Sequence, residues 1–95
     1  MEEHVDRERR EVLFSGHVQG VGFRYTVCQI ASGFDVGGFV RNLPGGNVQL
    51  VVEGPSQAID RLVGDVQTHM GRHIRETQQS RSDATGEFHG FRIRY

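Results

Sequence analysis

The sequence predicts an α+β sandwich, one antiparallel sheet with two helices packed on one face, and three observations carry the prediction. Apolar runs with alternating character occur near residues 10–18, 36–42, 48–53 and 88–95, the period of half-buried strands. Two longer segments, near 22–33 and 56–71, repeat apolar residues at helical offsets. Between the second and third strands, Leu43-Pro44-Gly45-Gly46-Asn47 is dense in turn formers, so these strands form a hairpin.

Taken in order, residues 1–9 carry charges of both signs and almost no apolar side chains, and are expected to be a disordered N-terminal tail ahead of a single domain over 10–95. The first strand is expected from Arg10 to Val18. A helix from Gly22 to Gly33 follows, with Phe23, Val27, Ile30, Ala31 and Phe34 on its buried face and Gln29 and Ser32 in solvent. Cys28 lies at the edge of that stripe without a sequence-local base, and reads as a small buried hydrophobe. The second strand runs Val36–Asn42 and the third Val48–Glu53. In the third, Val48, Leu50 and Val52 form an apolar face and Gln49, Val51 and Glu53 a mixed one, as in a sheet covered on one side. Gly54-Pro55-Ser56 opens the second helix, with Ser56 as its expected N-cap and Ile59, Leu62, Val63, Val66 and Met70 as its stripe. Gly71 ends it, and Gly64 inside it costs about 1 kcal/mol relative to Ala. His73–Gln79 reads as a polar edge strand, Ser80–Glu87 as a loop, and Phe88–Tyr95 as a closing strand that buries Phe91, Ile93 and Tyr95 against outward Arg92 and Arg94. The order β-α-β-β-α-β is that of a ferredoxin-like sandwich.

Composition narrows the function classes. Ninety-five residues bury about 65% of their unfolded surface, enough to fold without staples. A formal net charge of −1 gives no reason to expect nucleic acid or an acidic membrane as partner, so any basic site must be local. The single cysteine forbids an intramolecular disulfide, and the charged Met1–Glu11 segment has no apolar core of a signal or anchor, so a cytoplasmic protein is expected.

Chemistry concentrates where the first strand meets the first helix. Gly16-His17-Val18-Gln19-Gly20-Val21-Gly22-Phe23-Arg24 turns through three glycines into a helix start. That geometry gathers backbone N–H groups and the positive end of a helix dipole at one spot. Arg24 adds a planar guanidinium fork matched to phosphate or carboxylate oxygens. This is an anion cradle, or else a glycine-containing turn with a solvated arginine; spacing does not decide between them. It is neither a Walker A loop nor a dinucleotide fingerprint. Asn42, ending the second strand, either starts the hairpin turn or faces the cradle and holds a water beside the anion.

Other constellations are weaker. His69 and His73 are four apart but separated by Gly71, and His4, His17 and His89 have no partner at ligand spacing, so no metal is expected. Glu53, Asp60, Asp65, Glu76 and Asp83 form no sequence-local acid–base pair. Gly37–Asn42 faintly echoes an RNA-binding strand, but the repeated aromatics are missing.

Two motifs together resemble those of the acylphosphatases. The stretch from Gly16 to Arg24 is similar to Gly-x-Val-Gln-Gly-Val-x-Phe-Arg. Gly38-Phe39-Val40-Arg41-Asn42, with Gly46, Val48 and Gly54, is similar to the family's second motif. The resemblance covers about Arg10 to Tyr95, and the family's fold is ferredoxin-like. It implies a phosphoryl group bound by Gln19, Gly20, Val21, Gly22, Phe23 and Arg24, with Arg24 and the loop N–H groups gripping it. It implies that Asn42 orients the attacking water in hydrolysis of an acyl phosphate to a carboxylate and orthophosphate. No metal or other cofactor is implied, and the expected enzyme is a free-standing monomer binding phosphate or another anion in the loop. The sequence departs from the family at Val27, usually Thr, at Phe34-Asp35-Val36, usually Leu-Gly-Leu, and at Phe14, commonly aliphatic. The rival readings are a non-catalytic phosphate- or carboxylate-binding module, and the acylphosphatase-like domain of hydrogenase-maturation carbamoyltransferases.

Overall fold

A computed structural model describes residues 6–95. Strand β1 spans Arg7–Gly16, helix α1 Phe23–Ala31, β2 Gly37–Asn42, β3 Val48–Pro55, α2 Ser56–Met70, β4 Ile74–Asp83 and β5 Phe91–Ile93, with a 3-10 turn at Gly71–His73 between α2 and β4. The strands form one sheet in the order β4-β1-β3-β2-β5.

The core lies between the sheet and both helices. Val12 and Phe14 of β1, Val40 of β2, and Val48, Leu50 and Val52 of β3 point to that side. In register, Val12 faces Leu50, which faces Val40 across the hairpin, so one apolar row crosses three strands. Phe23, Val27 and Ala31 of α1 and Ile59, Leu62, Val63, Val66 and Met70 of α2 close over it. The helical stripes of the sequence are these residues, except that Ile30 and Phe34 are only partly buried. Burial of each large apolar side chain contributes about 1.5–3 kcal/mol. A charge sits at the border of this core. Arg10 is 2% exposed; its Nε donates to Glu8 (2.9 Å) and its Nη1 to Asp60 of α2 (2.7 Å) and Gln79 of β4 (3.2 Å), tying helix to sheet.

The structure corrects several expectations. The sheet is mixed: β2 and β5 pair in parallel. Strand β4 runs antiparallel to β1 and finishes at the end of the sheet where β2 begins. The following segment crosses that end to the far edge, so β5 must set out in the same direction as β2. Arg7–Arg9 belong to β1, paired with Pro55, Gly54 and Glu53; of the expected tail, residues 1–5 lie outside the described residues. Strand β4 extends to Asp83, into the expected loop, and β5 is only three residues long. Pro55, not Ser56, is the N-cap of α2, and no side chain caps it. Nor is the second face of the sheet bare. Phe88, from the segment between β4 and β5, meets Phe39 edge-on at 6.0 Å, and Arg94, just after β5, stacks on Phe39 at 3.8 Å. Val51, Glu53 and Phe39 are buried beneath.

Candidate active site

The first motif is held from both ends. At the end of β1 the register slips between Ser15 and Gly16, and the N–H of His17 donates to the carbonyl of His73 (2.9 Å). Val18 is fully buried and pins the loop to the core. The Gln19 amide then donates to two carbonyls of the β2–β3 turn, those of Leu43 and Asn47, both at 2.9 Å. Gly20 and Gly22 take left-handed backbone (φ 80° and 78°) with open space where a side chain would sit. Glycine is needed there for its torsion angles rather than for room.

Helix α1 begins at Phe23 with Gly22 as its N-cap. Its first intrahelical bond at that end runs from the N–H of Thr26 to the carbonyl of Gly22 (3.0 Å), leaving the N–H groups before it without helical acceptors. The first turn holds no acidic residue and no side chain caps it. Hence the positive end of the helix dipole is uncompensated. Arg24 issues from this turn, partly buried, with its guanidinium carbon 5.2 Å from the centre of the Tyr95 ring.

Asn42 arrives from the other side. It ends β2, paired with Val48, and its Oδ1 is buried with no hydrogen-bond partner. Arg24, Asn42, Gly20, Gly22 and Phe23 line a single cavity of about 270 Å³. The first turn of α1 and the end of β2 thus converge on one space, and Asn42 lines it. Among the residues expected to bind the anion, Gln19 and Val21 do not line the cavity. Gln19 spends its side chain on the hairpin carbonyls and Val21 packs against the core, so each can offer only backbone.

Sequence reasoning missed part of the wall. Tyr25, Ile93 and Tyr95 also line the cavity. Tyr95 was expected to be buried with Phe91 and Ile93, but it lies beyond the end of β5 and is 99% exposed. Tyr25 falls off the apolar stripe of α1, which was the available signal. Val27, at the position where the resembled family has threonine, is fully buried in the core, so that departure falls on packing. Burial pushes the Cys28 thiol above its ordinary pKa, which suits a packed side chain and not a nucleophile. Among the described residues no group of three or more His, Cys, Asp or Glu side chains could hold a metal ion, and no helix is long and apolar enough to cross a membrane.

With this geometry in hand, known proteins supply a comparison. A sequence model of the acylphosphatase family matches residues 10–93. The acylphosphatase of Natronomonas pharaonis is 38% identical over 89 residues, spanning 94% of this chain and 97% of its own. That of Geobacter sulfurreducens is 40% identical over 92 residues, with coverage of 92% and 97%. Among solved structures, the crystal structure of acylphosphatase from Bacillus subtilis superposes with a TM-score of 0.83 at 29% identity, covering 93% of this chain and 99% of that one.

Proposed function

The chain belongs to the acylphosphatase family, and from that membership we propose how its cavity carries out the reaction. It is an enzyme, an acylphosphatase, that hydrolyses the carboxyl–phosphate bond of a small-molecule acyl phosphate to a carboxylate and orthophosphate. In our reading, Arg24 and the N–H groups of the Gly20–Arg24 turn hold the phosphoryl oxygens. Asn42 Oδ1 accepts a hydrogen bond from the attacking water and aims its oxygen at phosphorus.

Water oxygen bonds to phosphorus as the bond from phosphorus to the acyl oxygen breaks. The acyl group leaves as a carboxylate with the bonding pair, and the water's proton passes to the phosphate product or to solvent. A carboxylate is a stable leaving group and needs no general acid. The loose transition state of phosphoryl transfer asks little of a general base. What remains is alignment and stabilisation of charge on the equatorial oxygens, which a guanidinium fork and fixed N–H groups supply. The reaction so written passes through no metal.

The observation that carries this assignment is the buried, unpartnered Oδ1 of Asn42 in the same cavity as Arg24. An unsatisfied buried acceptor costs about 1–3 kcal/mol, a cost that a bound water would relieve. The test is hydrolysis of benzoyl phosphate in EDTA by wild type, Arg24→Ala and Asn42→Ala, each shown to be folded by circular dichroism. Wild type should turn over, with kcat falling roughly 10² to 10³-fold in each variant, by analogy with loss of an oxyanion-hole donor. Full activity in a folded Asn42→Ala would remove Asn42 from the mechanism, and inactive wild type would remove the whole assignment. The same reading takes the enzyme as a monomer in the cytoplasm, the compartment being supported by its lone cysteine.

A further inference from the structure

Only two large apolar side chains are exposed among the described residues, Tyr25 (64%) and Tyr95 (99%), and both line the cavity that holds Arg24 and Asn42. They come from distant parts of the chain, one from the first turn of α1 and the other from beyond β5. Neither ring contributes to the core. Large exposed aromatics gathered at one concave site are a recognition feature rather than scatter.

Tyr25 is also restrained, and Tyr95 has one neighbour. The Gln29 amide donates to the Tyr25 hydroxyl at 2.6 Å, one helical turn along. Tyr95 is stacked against the Arg24 guanidinium at 5.2 Å. A ring held in place before binding loses less entropy when a ligand packs on it. In-line displacement at phosphorus sets the acyl group on the side opposite the attacking water, and therefore away from Asn42. Outside the Gly20–Arg24 turn and Asn42, the cavity walls are Val18, Tyr25, Ile93 and Tyr95, of which the two tyrosines are exposed.

We propose that Tyr25 and Tyr95 form an aromatic rim that reads the acyl group, so that the enzyme favours acyl phosphates with flat aromatic acyl groups over those with small aliphatic ones. This rests on the assignment of the phosphoryl site to Arg24 and the Gly20–Arg24 turn. The two rings act on substrate choice. The chemical step stays with Arg24 and Asn42.

The experiment compares kcat/KM for benzoyl phosphate and acetyl phosphate in wild type, Tyr25→Ala and Tyr25→Phe. The ratio of the two substrates cancels their shared phosphoryl contacts. Tyr25→Ala should lower the benzoyl-to-acetyl ratio roughly two- to twelvefold, the range measured for an aromatic pair, mainly by raising KM for benzoyl phosphate. Tyr25→Phe should keep most of the wild-type ratio, because the ring meets the substrate and only the restraint from Gln29 is lost. In Tyr95→Ala the ratio should fall in the same direction. An unchanged ratio in Tyr25→Ala, with both substrates still hydrolysed, overturns the rim and leaves the phosphoryl site standing. Wild type inactive on both substrates overturns the underlying assignment instead.

Discussion

Glu53 is 3% exposed and collects four donors: the N–H and hydroxyl of Thr85 (2.9 and 2.8 Å), the N–H of Gly86 (2.9 Å) and Arg9 (3.0 Å). Burial alone would raise its pKa, but the hydrogen bonds from Thr85, Gly86 and Arg9 outweigh it and hold the carboxyl below its ordinary value of 4.5. A depressed folded-state pKa makes a stabilising contribution that is complete above the unfolded value and is lost as pH falls through the folded one. Urea midpoints should therefore drop on the acid side of pH 4.5 more steeply in wild type than in Glu53→Gln. At neutral pH that variant should be roughly 1–3 kcal/mol less stable, because its amide leaves buried donors without acceptors. Parallel loss of midpoint in the two proteins would show that Glu53 does not carry the acid sensitivity. None of this was legible in the sequence: Glu53 sits in a valine-rich strand, and Thr85 and Gly86 lie 32 and 33 residues further on. Arg24 and Asn42 could be singled out because each ends a motif that resembles one of the family's, while spacing alone left the role of each open.

Helix α2 shows what a stripe can and cannot reveal. Its buried side chains are those that helical spacing selects. Gly64 has a different status, since a methyl group placed on it would meet nothing within 4 Å. Gly64→Ala should accordingly stabilise the protein by about 1 kcal/mol. This corresponds to a rise in Tm of about 4–8 °C for a domain of this size, measured by thermal denaturation with activity unchanged. A fall in Tm would mean that the glycine serves packing not visible in its surroundings. Strand β4 is the opposite case. Beyond Ile74 and Thr77 its side chains are exposed, so alternation fades, and only main-chain pairing with Glu8–Gly16 defines it. Polar edge strands leave this kind of weak imprint because one-sided burial is what writes a period into a sequence.

At the scale of the whole molecule, a chain of net charge −1 presents a local cationic cavity to an anionic substrate. Attraction of this kind is screened by salt. Raising ionic strength from about 20 mM to about 300 mM, where the Debye length shrinks severalfold, should lower kcat/KM and leave kcat nearly level; equal changes in both would place the salt effect after binding. The succession β-α-β-β-α-β along the chain was legible, whereas the parallel β2–β5 pair depended on where the last connection crosses, which no local pattern records. Gln19 joins these levels. Its amide binds carbonyls 24 and 28 residues downstream, and so ties the loop before α1 to the turn that follows Asn42. On the assignment proposed above, the two halves of the site are thereby fastened to each other in the folded chain before any substrate arrives.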